Sequence, residues 1–388
     1  MKKLLLGILV VAVLAACSNP FFPPKMEKDS DNTEVFSIVS AGDSHTIAIK
    51  SNGTLWAWGN NSNGQLGLGD NNDRNSPVQV GTDSNWVTIS AGSFHTMAIK
   101  SNGTLWAWGK NSNGQLGLGD YNDRNSPFQV GTDTNWVSVF ASSTFTIALK
   151  PDYLNDNHFW AWGSNSNGQL CNNGYYDRNT PGNISNWGGP SLSLSVGGTY
   201  VIAINHHGMY GWGSNEEGQF GYGSSFIASH FPILLEDGLL EEWSISAGDS
   251  YVMVIMHDGT LWAFGGSNDY GQLGLGDTIN RNTRLKVGTD TDWATVLAGN
   301  YHTTAFKTDN SIWIWGRNDN GQLGLGDYDN RNAPVQVGTD TNWASISVGG
   351  SHTVAIKSDG TLWTWGNNSN GQLGLGNTIN RNVPTNVN

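Results

Sequence analysis

A Trp-Gly landmark returns seven times along this chain, at Trp58, Trp108, Trp162, Trp212, Phe264 (where Phe replaces Trp), Trp315 and Trp365, at intervals of 50 to 54 residues. The clearest copy, starting at Gly53, reads G-T-L-W-A-W-G-N-N-S-N-G-Q-L-G-L-G. A unit of this length with strand-like content cannot bury its own apolar face. It must stack on its neighbours, as in propellers and solenoids.

One copy resolves into four strands. Pro77-Val78-Gln79-Val80 reads as an edge strand, because Pro supplies no ladder donor. Trp86 to Ala91 and His95 to Lys100 alternate apolar and polar residues. Ser101-Asn102-Gly103-Thr104 is a hairpin signal, since Asn-Gly accepts the positive φ angles of a tight turn. Leu105-Trp106-Ala107-Trp108 follows, with both indoles on one face. Seven such copies predict an all-β chain: a seven-bladed β-propeller of four-stranded blades over residues 35–388. Whether Pro384 to Val387 completes the last blade or pairs with the first is open at this level. All 18 Trp fall in three slots per copy, typified by Trp86, Trp106 and Trp108, and the exceptions are Phe36, Tyr210 and Phe264. Such recurrence marks wedges between blades rather than sugar-stacking platforms.

Residues 1–16 read as a lipoprotein signal peptide: Lys2-Lys3, an apolar run, then Leu14-Ala15-Ala16 before Cys17. This ending resembles the bacterial lipobox, so Cys17 is the expected lipidation site. Residues 17–34 are then the lipidated Cys and a flexible tether. The expected location is the bacterial cell envelope, with Ser18 favouring the outer membrane. A formal charge of −13 repels phosphates and anionic headgroups, so nucleic acid is excluded as a main partner and the membrane is met only through the anchor. Cys171 stands where other copies have Gly and reads as drift within a repeat.

The chain offers no catalytic set. G-L-G-D-N-N-D-R-N, from Gly67, lacks the Gly and Glu of an EF-hand loop. Asp73-Arg74 and its counterparts read as turn-locking groups. His45, His95, His302 and His352 share a slot filled elsewhere by Phe145, Tyr200 and Tyr251, which favours packing over metal binding. No Gly-Lys-Ser/Thr follows the glycines to seat a phosphate. The expectation is a non-enzymatic protein without cofactor or metal.

T-L-W-A-W-G-x-N-x-x-G-Q-L-G-L-G-D, then P-V-Q-V, then I-S-A-G-x-x-H-T-x-A-I-K, resembles the repeat of the regulator of chromosome condensation family. The resemblance implies a seven-bladed propeller. The family's eukaryotic founder is a nuclear guanine nucleotide exchange factor, but its wedge-like insertion and basic tail have no counterpart here. The largest insertion is about four residues, around Tyr153 to Asp156. A secreted bacterial relative that inhibits β-lactamase implies a closer model, a pure protein-binding surface.

Departures from the repeat locate the expected site. The pairs Asp43-Ser44, Ser93-Phe94, Ser143-Thr144, Gly198-Thr199, Asp249-Ser250, Asn300-Tyr301 and Gly350-Ser351 occupy one turn per blade, on one face. Phe94, Phe145, Tyr200, Tyr251 and Tyr301 are the expected partner-binding residues. The degenerate copies over residues 150–242 read either as an exposed apolar patch or as repeats that repack among themselves. The expected function is a monomeric, lipid-anchored propeller that binds a protein partner, as a holder or an inhibitor. The alternatives are a carbohydrate-binding surface protein and, less favoured, exchange-factor-like activity.

Overall fold

The computed structural model describes residues 34–151, 157–184, 191–223, 228–238 and 244–387. Its 28 strands form seven four-stranded antiparallel sheets, each with its strands in sequence order. Blade one comprises Phe36–Ala41, His45–Lys50, Leu55–Gly59 and Arg74–Gln79. Blades two to seven begin at Trp86, Ser138, Ser191, Ser244, Trp293 and Trp343. The first strand of each blade packs on the neighbouring blades around the axis, and the fourth lies at the rim. The last strand, Arg381–Val387, pairs with Leu362–Gly366 of its own blade. Among the described residues no strand is exchanged across the first and last blades, so side chains and loops close the ring.

They do so with a repeated latch. Thr96 and Trp108 are cross-strand partners, which sets their donors side by side. Thr96 Oγ1 and Trp108 Nε1 both donate to the Gln65 carbonyl of the preceding blade, at 2.8 and 2.9 Å. His45 Nε2 lies 3.1 Å from the same Thr96 hydroxyl. Since that hydroxyl's proton goes to Gln65, the imidazole donates and its Nε2 carries the hydrogen. The ring closes with identical parts: Thr46 and Trp58 reach Gln372, and His352 reaches Thr46. Gly67 approaches the indole so closely that a Cβ there would sit 2.9 Å from Trp108 Nε1, and its φ of +71° suits Gly.

A second belt runs nearer the axis. Ser40 Oγ accepts from the Ala91 N–H of the next blade, and Ser90, Ser195, Ser246 and Ser347 repeat the contact to Ala141, Ala247, Ala298 and Ala41. These hydroxyls satisfy inner-strand amides that no ladder reaches. Between blades sit the wedges: Trp58, Trp108, Trp162, Trp212, Trp315 and Trp365 are fully buried, and Trp86 meets both Trp106 and Trp108 edge-on at 5.9 and 6.1 Å. Cys171 holds the left-handed conformation of the Gly it replaces, at φ 49°. Burial pushes its thiol up to about 12, which keeps it protonated and unreactive at neutral pH.

Three seams carry natural variants of the latch, at Phe145, Tyr200 and Tyr251, and the first is wholly apolar at the His and Thr positions. Phe145 and Val201 replace the His and Thr together and pack in one apolar cluster. Thr96→Val alone strands the His45 N–H in a buried site, an expected loss of about 1–3 kcal/mol. The double change His45→Phe/Thr96→Val recreates the apolar pair and should recover most of it in a denaturation-based double-mutant cycle. A loss in the double variant equal to the sum of the two single losses would refute the coupling.

Candidate protein-binding face

The turn joining the first two strands of each blade projects from one end of the ring. Its first variable residue, from Asp43, Ser93, Ser143, Gly198, Asp249, Asn300 and Gly350, borders a cavity of about 90 Å³ on the axis. Burial pushes the Asp43 carboxyl up, against hydrogen bonds from Asn300 and Ser93. The Asn300 amide donates to Asp43 Oδ1 at 2.9 Å. Asp249 is raised by burial and then by the charge of Asp43. The mouth is thus small, polar and weakly acidic.

The second turn residue points outward from the mouth, and here the structure divides the five expected residues. Phe94 is 38% exposed and Tyr301 half-buried on this face. Phe145, Tyr200 and Tyr251 are corrected: all three are fully buried and present nothing to a partner. They occupy the histidine slot of the latch. The Tyr200 hydroxyl donates to the Tyr251 carbonyl at 2.6 Å, and that of Tyr251 to the His302 carbonyl at 2.9 Å. Alternation along the second strand sends this slot inward, which its neighbour in the turn escapes.

Sequence reasoning missed other members of the face. Lys110 and Arg317 follow the Trp-Gly landmark and lie over Phe94 and Tyr301, at 5.3 and 5.4 Å from the ring centres. Tyr270, from the loop of blade five, meets Tyr301 edge-on at 5.7 Å and also contacts Arg317. Arg317 is ion-paired with Asp319 at 2.7 Å. Further out, the loops after the third strands expose Tyr121, Tyr175, Tyr176, Ile279, Tyr328 and Ile379, with Tyr176 at 86%. The available signal was the replacement of Asn71 and Asn72 by large side chains in the other copies.

Both readings of the degenerate copies hold in part. Tyr222, Phe231 and Leu234 are exposed, whereas Phe220 and Leu235 enter the core. Tyr175 hydrogen-bonds His230 at 3.0 Å. Phe226, Ile227, Leu239 and Leu240, the insertion at 153–156, the leader and Cys17 lie outside the described residues.

The other candidate chemistries are absorbed by structure. Arg74 pairs with Asp70 at 2.6 Å, while Asp73 accepts from the Asn61 amide at 2.8 Å; both lock the loop. In five blades a lysine lies over the outer indole, on Trp56, Trp106, Trp160, Trp313 and Trp363. Lys100 lies 4.6 and 3.9 Å over Trp86 and Trp106 and pairs with Asp83 at 2.7 Å. Among the described residues no three His, Cys, Asp or Glu side chains are grouped to hold a metal. In the histidine ring, Nε2 is spent on Thr, and Nδ1 faces Gly42 so closely that a Cβ there would lie 2.6 Å away.

The comparisons follow from this geometry. The Regulator of chromosome condensation (RCC1) repeat matches residues 52–99, 102–149, 258–306, 309–356 and 359–388, and the chain belongs to that family. A second description of the same repeat matches 36–65, 86–115, 295–322 and 343–372. Ultraviolet-B receptor UVR8 of Arabidopsis thaliana is 30% identical over 283 residues, 71% of this chain and 52% of the receptor. The human probable E3 ubiquitin-protein ligase HERC6 is 29% identical over 158 residues, 39% of this chain and 15% of the ligase. The chain therefore spans about half or less of these relatives. Among solved structures, yeast RCC1 (Prp20) bound to Kap60 superposes with a TM-score of 0.75 at 18% identity, covering 100% of this chain and 90% of that one. Human WBSCR16 gives 0.73 at 20% identity, covering 86% and 94%. At such identities these two likenesses show the fold alone.

Burial holds His45, His95, His302 and His352 down at about 3, so all four are neutral when folded. Below pH 6.5 the unfolded chain binds protons that the folded one refuses, so stability falls as pH drops from 6.5 towards 3. At pH 5 each histidine costs about 2 kcal/mol on this basis. Urea unfolding at pH 7 and 5 should show a marked fall, and His45→Phe/Thr96→Val should reduce the difference by about a quarter. An unchanged pH dependence in that variant would contradict the assignment.

Proposed function

We propose that this chain is a non-enzymatic, monomeric protein-binding propeller, tethered by a lipid at Cys17 to the bacterial envelope, which holds or inhibits a partner through the axial-turn face. The observation that carries this reading is the concentration, at one end of a rigid ring, of large side chains that blade packing does not use. Phe94, Tyr301 and Tyr270 lie around the mouth and Tyr121, Tyr176 and Tyr328 at its margin. Aromatic residues on a rigid frame lose little entropy on binding and form the usual anchors of protein interfaces. A protein of the same fold binds protein partners: yeast RCC1 (Prp20) was solved bound to Kap60, and Prp20p has binding properties to Gsp1p and histones. The occupied indole faces weigh against the carbohydrate reading, and the acidic balance of −13 against nucleic acid.

The face is tested with the full chain as bait in envelope extracts. Phe94→Ala/Tyr301→Ala should weaken capture of a specific protein by at least about tenfold. Val87→Ala, an exposed site at the opposite end, should not. A partner that ignores the first variant would move the site elsewhere. For the anchor, Cys17→Ser should shift the protein from the detergent phase to the aqueous phase after fractionation. A variant that stays with the membrane would rule out lipidation at Cys17.

A further inference from the structure

Two departures from the repeat occur together. In the slot after the Trp-Gly landmark, the blades carry Asn60, Lys110, Ser164, Ser214, Arg317 and Asn367, and blade five, with an extra Gly266, carries Ser267 one residue further on. The two cations fall in the two blades whose turns carry an aromatic, Phe94 and Tyr301. Backbone bonds from Lys110 N to Phe94 O and from Arg317 N to Tyr301 O, both 2.9 Å, fix each pair.

These pairs come at the expense of a buried hydrogen bond. Where the slot holds Asn, the Gln of the following loop donates its side-chain amide to it: Gln65 to Asn60 at 2.7 Å and Gln372 to Asn367 at 2.9 Å. Ser267 serves Gln272 in the same way at 3.1 Å. With a cation in the slot there is no acceptor, and Gln115 Nε2 and Gln322 Nε2 are buried without a partner. Gln169, beside the short Ser164, is also unpaired, so the loss alone is not specific. Its coincidence with both aromatic–cation pairs is. Two of the three breaks lie beneath an aromatic–cation pair on one face, the pattern expected where function overrides folding.

The two spots differ in charge. Arg317 is already neutralised by Asp319, leaving a platform of guanidinium and two tyrosine rings. Among the described residues no carboxylate is ion-paired with Lys110, although acids outnumber bases in the chain by 32 to 19. Its ammonium over Phe94 is a donor awaiting an acceptor. We propose, resting on the protein-binding reading above, that blades two and six form the two energetic centres of the face. The occupant is a protein segment that sets a carboxylate on Lys110, with an apolar side chain against Phe94. A second apolar or aromatic side chain stacks on the Tyr270–Tyr301–Arg317 platform. The separation of the two spots around the ring gives the partner its orientation.

The test uses the full chain and a library of randomised cyclic peptides selected for binding to it. Selected peptides should carry Asp or Glu beside an apolar residue and should bind Lys110→Asn at least about tenfold more weakly. Exchanging the peptide's acid for its amide should weaken binding to the wild type but not to Lys110→Asn. Peptides lost on Phe94→Ala/Tyr301→Ala yet indifferent to Lys110→Asn and Arg317→Asn would overturn this inference and leave the face standing. Peptides indifferent to all of these, or no binders, would bring down both. A second readout needs no partner. Lys110→Asn gives Gln115 its acceptor and Lys110→Ala does not, so the Asn variant should melt higher by about 1–3 °C. The reverse order would refute the unpaired-amide argument.

Discussion

Six of the seven seams of this ring depend on one backbone carbonyl, that of Gln65 and its counterparts, presented by a loop to the next blade; between blades four and five Val252 and Phe264 offer it no donor. Thr96 Oγ1 and Trp108 Nε1 converge on it from adjacent strands, and His45 backs the threonine. The Gly-Gln-Leu-Gly loop therefore supplies both the approach, through glycines that leave room for the indole, and the acceptor. It explains how the described blades close into a ring, because the seam between blades seven and one has the same parts as the seam between one and two.

The latch also explains why the histidine slot tolerates Phe145, Tyr200 and Tyr251. Imidazole is not needed for its charge; burial keeps it neutral. Any side chain of suitable size fits if its polar group finds a partner. Tyr200 and Tyr251 send their hydroxyls to carbonyls, and Phe145 has none to send. With blade packing assigned to these inward slots, the face at the end of the ring is free to vary. Seven turns held at fixed spacing by a rigid scaffold make a surface on which a few side chains can be changed at small structural expense.

Much of the fold was legible before any coordinates. Period, strand alternation and Asn-Gly hairpins gave seven blades of four strands, and the recurrence of Trp in three slots gave the wedges. The site was legible only in outline. Phe94 and Tyr301 were recognisable as departures from the repeat, but Phe145, Tyr200 and Tyr251 looked equivalent because a sequence shows proximity along the chain and not the direction of a side chain. Tyr270 and Arg317 belong to different blades and meet Tyr301 only when those blades stack. Likewise, the role of Gln115 depends on what stands in the slot of Lys110, which no local motif reveals.

The repeat by itself determined the architecture, because a fifty-residue unit with one apolar strand pattern has few ways to bury it. It also determined that the chain carries a single class of blade. Which aromatics reach solvent, how the ring closes, and which hydrogen bond is forfeited beneath Lys110 were decided only in three dimensions. Those outcomes depend on contacts between blades, where donors and acceptors distant in sequence are brought within 3 Å of one another.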